Sequence, residues 1–211
     1  MKKLLFLMAV LADLATAPAH AQVFGQYVPA EILPVNSRLG GAYVDFSKDV
    51  VGAIGQLRLS FYPNVDFGFQ GGLLRLDLGS TTKTALRLGG DVRFGVVKAN
   101  QAHPFDVAAG GAIGVVSGDN YNVLRLGPSV VASHTFPFSA RSSVVPYAGA
   151  MLSFANVNVG DHSRSDFSVP IRLGAELRAI TGLRLTAELQ LRVGDDFDNH
   201  SGFSAGVNLP F

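Results

Sequence analysis

The residues of this chain that could carry out hydrolysis are its serines, histidines and carboxylates. Ser133 and His134 are neighbours, but no third group stands at a spacing that would orient the histidine as a base. Asp198 and His200 form an Asp-x-His pair that could polarise a water molecule, yet only composition suggests a second acidic pair to position that water. We therefore predict no catalytic residue.

Metal ligands are equally sparse. The chain has no cysteine, and its histidines form neither an HExxH motif nor a close pair. The acidic stretch 194–200 offers oxygen ligands for calcium, but it lacks the glycine and terminal glutamate of an EF-hand loop. A solvated acidic loop is the expected interpretation, with no metal and no cofactor.

A larger set of charged residues follows a regular spacing. Residues two or four apart share one face of a β-strand, as Arg184 and Glu188 would. Arginine outnumbers lysine 12 to 5, and the planar guanidinium pairs well with carboxylates where water is scarce. We predict a structural ion-pair network of Arg87, Asp91, Arg93, Arg172, Glu176, Arg184, Glu188 and Arg192. A wider polar set adds Arg58, Arg75, Asp77, Arg125 and Gln190.

The elements that position these charges are β-strands. In 183–193 the odd positions are apolar and the even ones polar, and 167–177, 86–96 and 55–61 repeat the period of two. Weaker segments at 38–46, 66–78, 105–116, 121–136, 146–159 and 202–211 complete the set. In 66–78 the phase changes at Gly71–Gly72, which predicts a glycine β-bulge. The sequence therefore predicts an all-β chain of ten antiparallel strands with short connections, or alternatively eight.

The N-terminus has the pattern of an export signal. Lys2 and Lys3 precede a short apolar stretch and the small-x-small site ending at Ala21. We predict a signal peptide at 1–21, an N-terminal leader at 22–37 and a β-barrel domain at 38–211. Without residues 1–21 the formal charge is zero, because 15 basic residues balance 15 acidic ones. Nucleic-acid binding by bulk charge is therefore not expected.

Two architectures fit an exported chain of alternating strands. A soluble barrel turns its apolar faces inward, whereas a membrane barrel turns them outward into lipid. The eleven-residue apolar face of 183–193 matches the ~9–11 residues of a spanning strand, and an even strand number places both termini on one side. These features predict a membrane barrel. Since the chain has no tryptophan, phenylalanines and Tyr27, Tyr43, Tyr62, Tyr121 and Tyr147 would supply the interfacial aromatics.

The signal peptide, the β-meander and a terminal strand ending in phenylalanine resemble the small outer-membrane β-barrels of Gram-negative bacteria, in particular the opacity-type and OmpA-like barrel group. The resemblance implies that the barrel-assembly machinery reads the C-terminal strand. The residues that match this signal are Phe203, Val207, Leu209 and Phe211, with Ala205 between them. It also implies an antiparallel up-and-down barrel in the outer membrane, with membrane lipid as its surroundings.

From these observations we expect a non-enzymatic, monomeric outer-membrane protein. Its role would be structural, in envelope integrity, or surface interaction through its loops. The alternative is a narrow pore for small solutes with an arginine-rich lumen. A soluble exported β-barrel and a barrel enzyme remain further alternatives.

Overall fold

The computed structural model describes residues 26–47, 49–77, 82–119, 121–159, 162–180, 182–194 and 201–211. Within them the chain forms twelve strands: β1 (Arg38–Ser47), β2 (Val50–Tyr62), β3 (Val65–Asp77), β4 (Thr82–Val97), β5 (Asp106–Gly118), β6 (Tyr121–Ser133), β7 (Phe136–Ser139), β8 (Ser142–Met151), β9 (Ser153–Val159), β10 (His162–Ile180), β11 (Leu183–Gly194) and β12 (Ser201–Pro210). Among these residues no helix is long and apolar enough to cross a membrane.

The strands close into one antiparallel barrel. From β1 to β6 and from β10 to β12 each strand pairs with the next one in the chain, and β12 pairs with β1 to complete the ring. Strands β8 and β9 occupy one position in the wall, because both pair with β6 and with β10. The short β7 pairs with β8 and, among the described strands, with no other, and the two form a hairpin at the rim. The wall therefore has ten positions, which confirms the predicted all-β barrel of ten strands.

The outer surface of the barrel is apolar and its interior is polar. In β11, Leu185 on the outer face is 41% exposed, whereas Thr186, Glu188 and Gln190 on the inner face are almost fully buried. Large apolar side chains such as Phe69, Leu88 and Leu173 are about half exposed on the outside. Water would be a poor solvent for such a surface, but lipid is a suitable one. The inverted face assignment of a membrane barrel is therefore correct.

Strand β3 departs from its predicted geometry. Its pairing with β2 runs without a register shift from Val50–Leu76 to Leu59–Phe67, so the predicted bulge at Gly71–Gly72 is absent. Leu74 and Leu76 consequently point into the barrel, and Arg75 and Asp77 are exposed on the other face. The physical reason is an apolar layer inside this end of the barrel. It contains Tyr27, Tyr43, Ile54, Leu74, Leu76, Ala85, Val116 and Val123.

The ends of the barrel wall lie together. The amide of Phe211 donates to the carbonyl of Arg38 at 3.1 Å, so the first and last strands begin and end at the same rim. In bacterial outer-membrane barrels this rim faces the periplasm, and we call it the periplasmic end.

Residues 26–37 enter the barrel instead of leading into it from outside. A turn reverses the chain before β1, with the amide of Ser37 donating to the carbonyl of Pro34 at 3.0 Å. Asn36 lies in the left-handed region at φ 62, which asparagine tolerates better than most residues. Beyond this turn, Gln26, Tyr27, Val28 and Ala30 are buried. Residues 26–34 therefore form a plug along the lumen.

Candidate functional site in the barrel lumen

The first part of the lumen network joins strands β1 to β4. The Arg58 guanidinium bridges the carboxylates of Asp66 and Asp91. Arg93 binds the second oxygen of Asp66 at 2.7 Å, and Arg87 binds Asp45 at 2.7 Å. All of these side chains are almost fully buried. Charge pairing of this kind is what makes buried arginines tolerable.

The second part lies on β10 and β11. The tight turn at Gly182 places Gly174 opposite Glu188 and Arg178 opposite Arg184. Glu188 accepts a hydrogen bond from the Tyr147 hydroxyl at 2.9 Å and lies 3.8 Å from the Arg172 guanidinium. Glu176 lies 2.8 Å from Nε of Arg178 and 3.5 Å from Arg184. Both parts of the network therefore fill the lumen with paired charges.

The plug is held by polar groups of several strands. The Tyr27 hydroxyl donates to both oxygens of Asp45 on β1, at 2.8 and 3.0 Å. The amide of Ala30 donates to Oγ of Ser133 on β6 at 3.0 Å. Arg93 on β4 donates to the carbonyl of Pro29 at 2.6 Å. These contacts tie the plug to strands β1, β4 and β6 of the wall.

Glu31 is the single charged residue of the plug. Its carboxylate accepts from Oγ1 of Thr135 at 2.7 Å and from the Arg178 guanidinium. Burial raises the pKa of Glu31, but Arg178 and the Thr135 hydroxyl outweigh that effect and hold the pKa below its usual value. Glu31 therefore sits in the plug as a carboxylate bound by an arginine and a hydroxyl.

A cavity of about 820 Å³ opens at the periplasmic end beside Glu31. The plug contributes Ala30, Glu31, Ile32 and Pro34 to its lining. The wall contributes Lys98, Asp106, His134, Thr135 and Arg184, among others. The volume is within the range of small-molecule sites.

Three tyrosines lie in the lumen and not at the membrane interface, which corrects the expectation for Tyr27, Tyr43 and Tyr147. Their rings are buried, and the hydroxyl of each finds a polar partner inside the barrel: Asp45, Asn208 and Glu188 respectively. Rings of Tyr27 and Tyr43 stack at 4.3 Å. Outside, phenylalanines such as Phe154 and Phe167 pair on the surface at 5.1 Å.

The structure places Arg87, Asp91, Arg93, Arg172, Glu176, Arg184 and Glu188 on the lumen side, in ion pairs with one another or with Arg58, Asp45, Asp66 and Arg178. Arg192 belongs to β11, but its side chain lies outside the described part. Phe203, Leu209 and Phe211 are exposed on the outer face of the last strand, and Val207 is partly buried there.

Of the candidate catalytic residues, the structure describes Ser133 and His134, and it holds their side chains in different surroundings. Ser133 is buried and its hydroxyl is bound to the plug, whereas the His134 ring lies between Phe105 and Phe136 and contacts the Pro104 carbonyl. Asp195, Asp196, Asp198 and His200 lie outside the described residues, as does most of the acidic stretch 194–200. Among the residues that are described, no group of three histidine or acidic side chains could hold a metal.

The plug is the feature that sequence reasoning missed. Residues 26–37 have no hydrophobic period, two prolines and one charge, a composition that also fits an ordinary leader. The only local signal is the turn sequence Pro34-Val35-Asn36-Ser37, which allows a reversal of direction.

No family model matches the chain, and no curated protein is significantly similar to it. Solved structures with a similar fold include the N-terminal β-barrel domain of OprF from Pseudomonas aeruginosa, at 11% identity and a TM-score of 0.36 over 84% of this chain and 98% of that one. An outer membrane channel from Pseudomonas putida F1 matches at 12% identity and a TM-score of 0.45, over 90% of this chain and 100% of that one. LpxR from Salmonella typhimurium matches at 9% identity and a TM-score of 0.40, over 82% of this chain and 99% of that one. Similarities this low carry no argument about activity.

The architecture itself is informative about location. The ten antiparallel positions of the wall form a closed ring, so each position has a partner on both sides inside lipid. The outer face is apolar and bears phenylalanines, and the inner face is charged. The chain is therefore a β-barrel of the membrane-spanning type.

Proposed function

We propose that this protein is a sealed, non-enzymatic outer-membrane barrel that contributes to the integrity of the envelope. The observation that supports this role is the filled lumen. The plug lies inside the barrel and is bound by Arg93, the ion pairs of Arg58, Arg93 and Glu188 are buried in the lumen with it, and an apolar layer that includes Tyr27 lies toward the end opposite the periplasm. A barrel filled in this way adds a stable, impermeable element to the bilayer.

Conductance tests the sealed state. The folded protein, reconstituted in a planar lipid bilayer, is expected to show no steady stepwise current. In cells, loss of the protein should raise sensitivity to detergent, and the intact chain should restore resistance. Continuous conductance by the intact protein would contradict the proposal and favour the narrow pore.

Surface contact is a second candidate, favoured by the hairpin of β9 and β10. Strand β10 has 19 residues, more than a tilted strand needs to span the ~25 Å apolar band. Beyond the Phe154–Phe167 pair the hairpin carries polar side chains, and Asn156 binds Ser165 at 3.3 Å. Alanine at Asn158, Ser163 and Arg164 should then reduce cell attachment or aggregation without changing detergent resistance. Unchanged attachment would contradict this role.

A further inference from the structure

The contacts of Glu31 form a built carboxylate site. The two carboxylate oxygens have separate donors, Thr135 at 2.7 Å and Arg178. Arg178 itself is fixed by Oε1 of Glu176 at 2.8 Å, and Arg184 lies 3.5 Å from the same oxygen. Arg178 and Arg184 thus carry two positive charges, and Glu176 on the wall balances one of them. Glu31 on the plug supplies the second negative charge.

This site is accessible from the periplasmic end. Glu31, Thr135 and Arg184 line the 820 Å³ cavity, together with Lys98 and His134. The side chains of Glu31 and Arg178 are 32% and 22% exposed. A soluble anion can therefore reach the donors that Glu31 uses, without passing through the lumen.

Within the described residues, the plug is joined covalently to the wall through the turn that leads into β1. The turn at Pro34–Ser37 connects it to β1, and the backbone bond between Asn36 and Ser60 at 2.8 Å fixes that base. Deeper in the lumen, Tyr27 is held at φ 49, a left-handed conformation that is strained for a bulky residue. The groups that bind the plug, such as Asp45 and Ser133, are polar, so water can replace their bonds to it.

We propose that the Thr135–Arg178 pair is a binding site for small organic carboxylates, in which Glu31 is a tethered occupant. A free carboxylate that binds there displaces Glu31 and loosens the plug from the lumen. The proposal goes beyond the sealed barrel of the resting state, because it supplies a ligand and a means of releasing the plug.

Cysteine labelling measures release of the plug directly, since the chain has no cysteine of its own. Val28 is 3% exposed, so in Val28→Cys a water-soluble maleimide should react slowly with the resting barrel in lipid vesicles. Succinate on the periplasmic side should accelerate labelling, and neutral succinamide should not. Equal rates with the two compounds would overturn the proposal.

Substitutions in the carboxylate site provide a second test of the proposal. In the Val28→Cys background, Glu31→Ala removes the tethered carboxylate and should raise the labelling rate roughly 10- to 100-fold, as expected for loss of one charge-assisted hydrogen-bond pair. Arg178→Ala should also raise the rate and abolish the response to succinate. Asp106→Asn is the matched control, because it removes a carboxylate of the same cavity that binds Ala99 and not Arg178. A rate for Glu31→Ala no higher than for Asp106→Asn would overturn the proposal.

Heat-modified migration on gels checks that each variant is folded. The comparison of succinate with succinamide uses the protein that keeps Glu31, so it does not depend on any substitution in the carboxylate site. The outcome is separable from that of the sealed barrel. Steady current through the intact protein would contradict the sealed state, whereas labelling that ignores succinate would contradict the carboxylate site.

Discussion

Glu188 is a carboxylate buried in the middle of the lumen, at 1% exposure. Tyr147 donates to it at 2.9 Å, and Arg172 lies 3.8 Å away. Such a group is stable only with its partners, because an isolated buried charge loses its hydration without compensation. Glu188 and Arg172 therefore depend on each other.

Replacement of Glu188 tests this dependence. Glu188→Ala leaves the Arg172 guanidinium without its wall carboxylate and should lower the free energy of unfolding by about 3–5 kcal/mol. Urea unfolding in lipid vesicles measures the change. The exposed Asp119 provides the control, since Asp119→Ala should change stability by no more than about 0.5 kcal/mol. Equal stability of the two variants would refute a buried network.

The spacing of charges predicted the lumen face of β11 but not that of β3. Arg184 and Glu188 stand on an unbroken period of two, and β11 keeps that period. Arg75 and Asp77 were expected beside them, yet they point outward, because the lumen at that level is apolar. Whether a given layer of a lumen is polar or apolar depends on all ten positions of the wall together, and one strand alone does not contain that information.

The wall has an interruption at Leu152, between β8 and β9. Its amide donates to the carbonyl of Pro128 at 2.9 Å, but proline has no N–H to return the bond. On the other side, Pro170 lies between Ser168 and Ile171, which pair with Ser153 and Ala150. The β8–β9 position therefore has a proline without a backbone N–H donor beside it on each side, Pro128 on β6 and Pro170 on β10.

Gly127 accommodates this interruption. A Cβ at Gly127 would lie 1.7 Å from the carbonyl oxygen of Leu152, whereas a Cβ at Gly111 would lie 3.6 Å from its nearest neighbour, the carbonyl oxygen of Gly127. Gly127→Ala must push the backbone aside and should destabilise the barrel by about 1–3 kcal/mol. Gly111→Ala is the matched control and should be neutral or slightly stabilising, because alanine loses less backbone entropy. Urea unfolding of the two variants in lipid vesicles measures the difference. Equal stabilities would exclude the steric role of Gly127.

The strands could be predicted from the sequence, whereas the plug could not. Alternation is a local signal that each strand carries in its own residues, so the ten positions could be counted from the sequence. The plug forms through contacts between residues far apart, such as Ala30 with Ser133 and Gln26 with Arg172. No pattern within 26–37 encodes these partners.

The whole molecule depends on the joining of its first and last strands. Strand β12 pairs with β1 from Gly202–Ser47 to Pro210–Leu39, and the amide of Phe211 extends the ladder to Arg38 at 3.1 Å. The Phe211 ring is 69% exposed on the outside, and its nearest atom lies 3.2 Å from the position of a Cβ on Gly40. Phe211 thus contributes little burial to the closed barrel and leaves an aromatic ring displayed at its rim.

This geometry separates assembly in cells from stability. If Phe211 is the residue that the barrel-assembly machinery reads, its deletion should cause unfolded protein to accumulate in the periplasm. Refolding of the same truncated chain in detergent should still succeed, because the ladder from Gly202 to Pro210 is intact. Phe138→Ala is the matched control, since Phe138 is a similarly exposed aromatic (62%) on the rim hairpin and far from the C-terminus. Cell fractionation and gel migration read both outcomes. If the chain assembles normally without Phe211, or if Phe138→Ala causes an equal defect, Phe211 is not the assembly signal. The last strand would then act through its pairing with β1, which closes the ring.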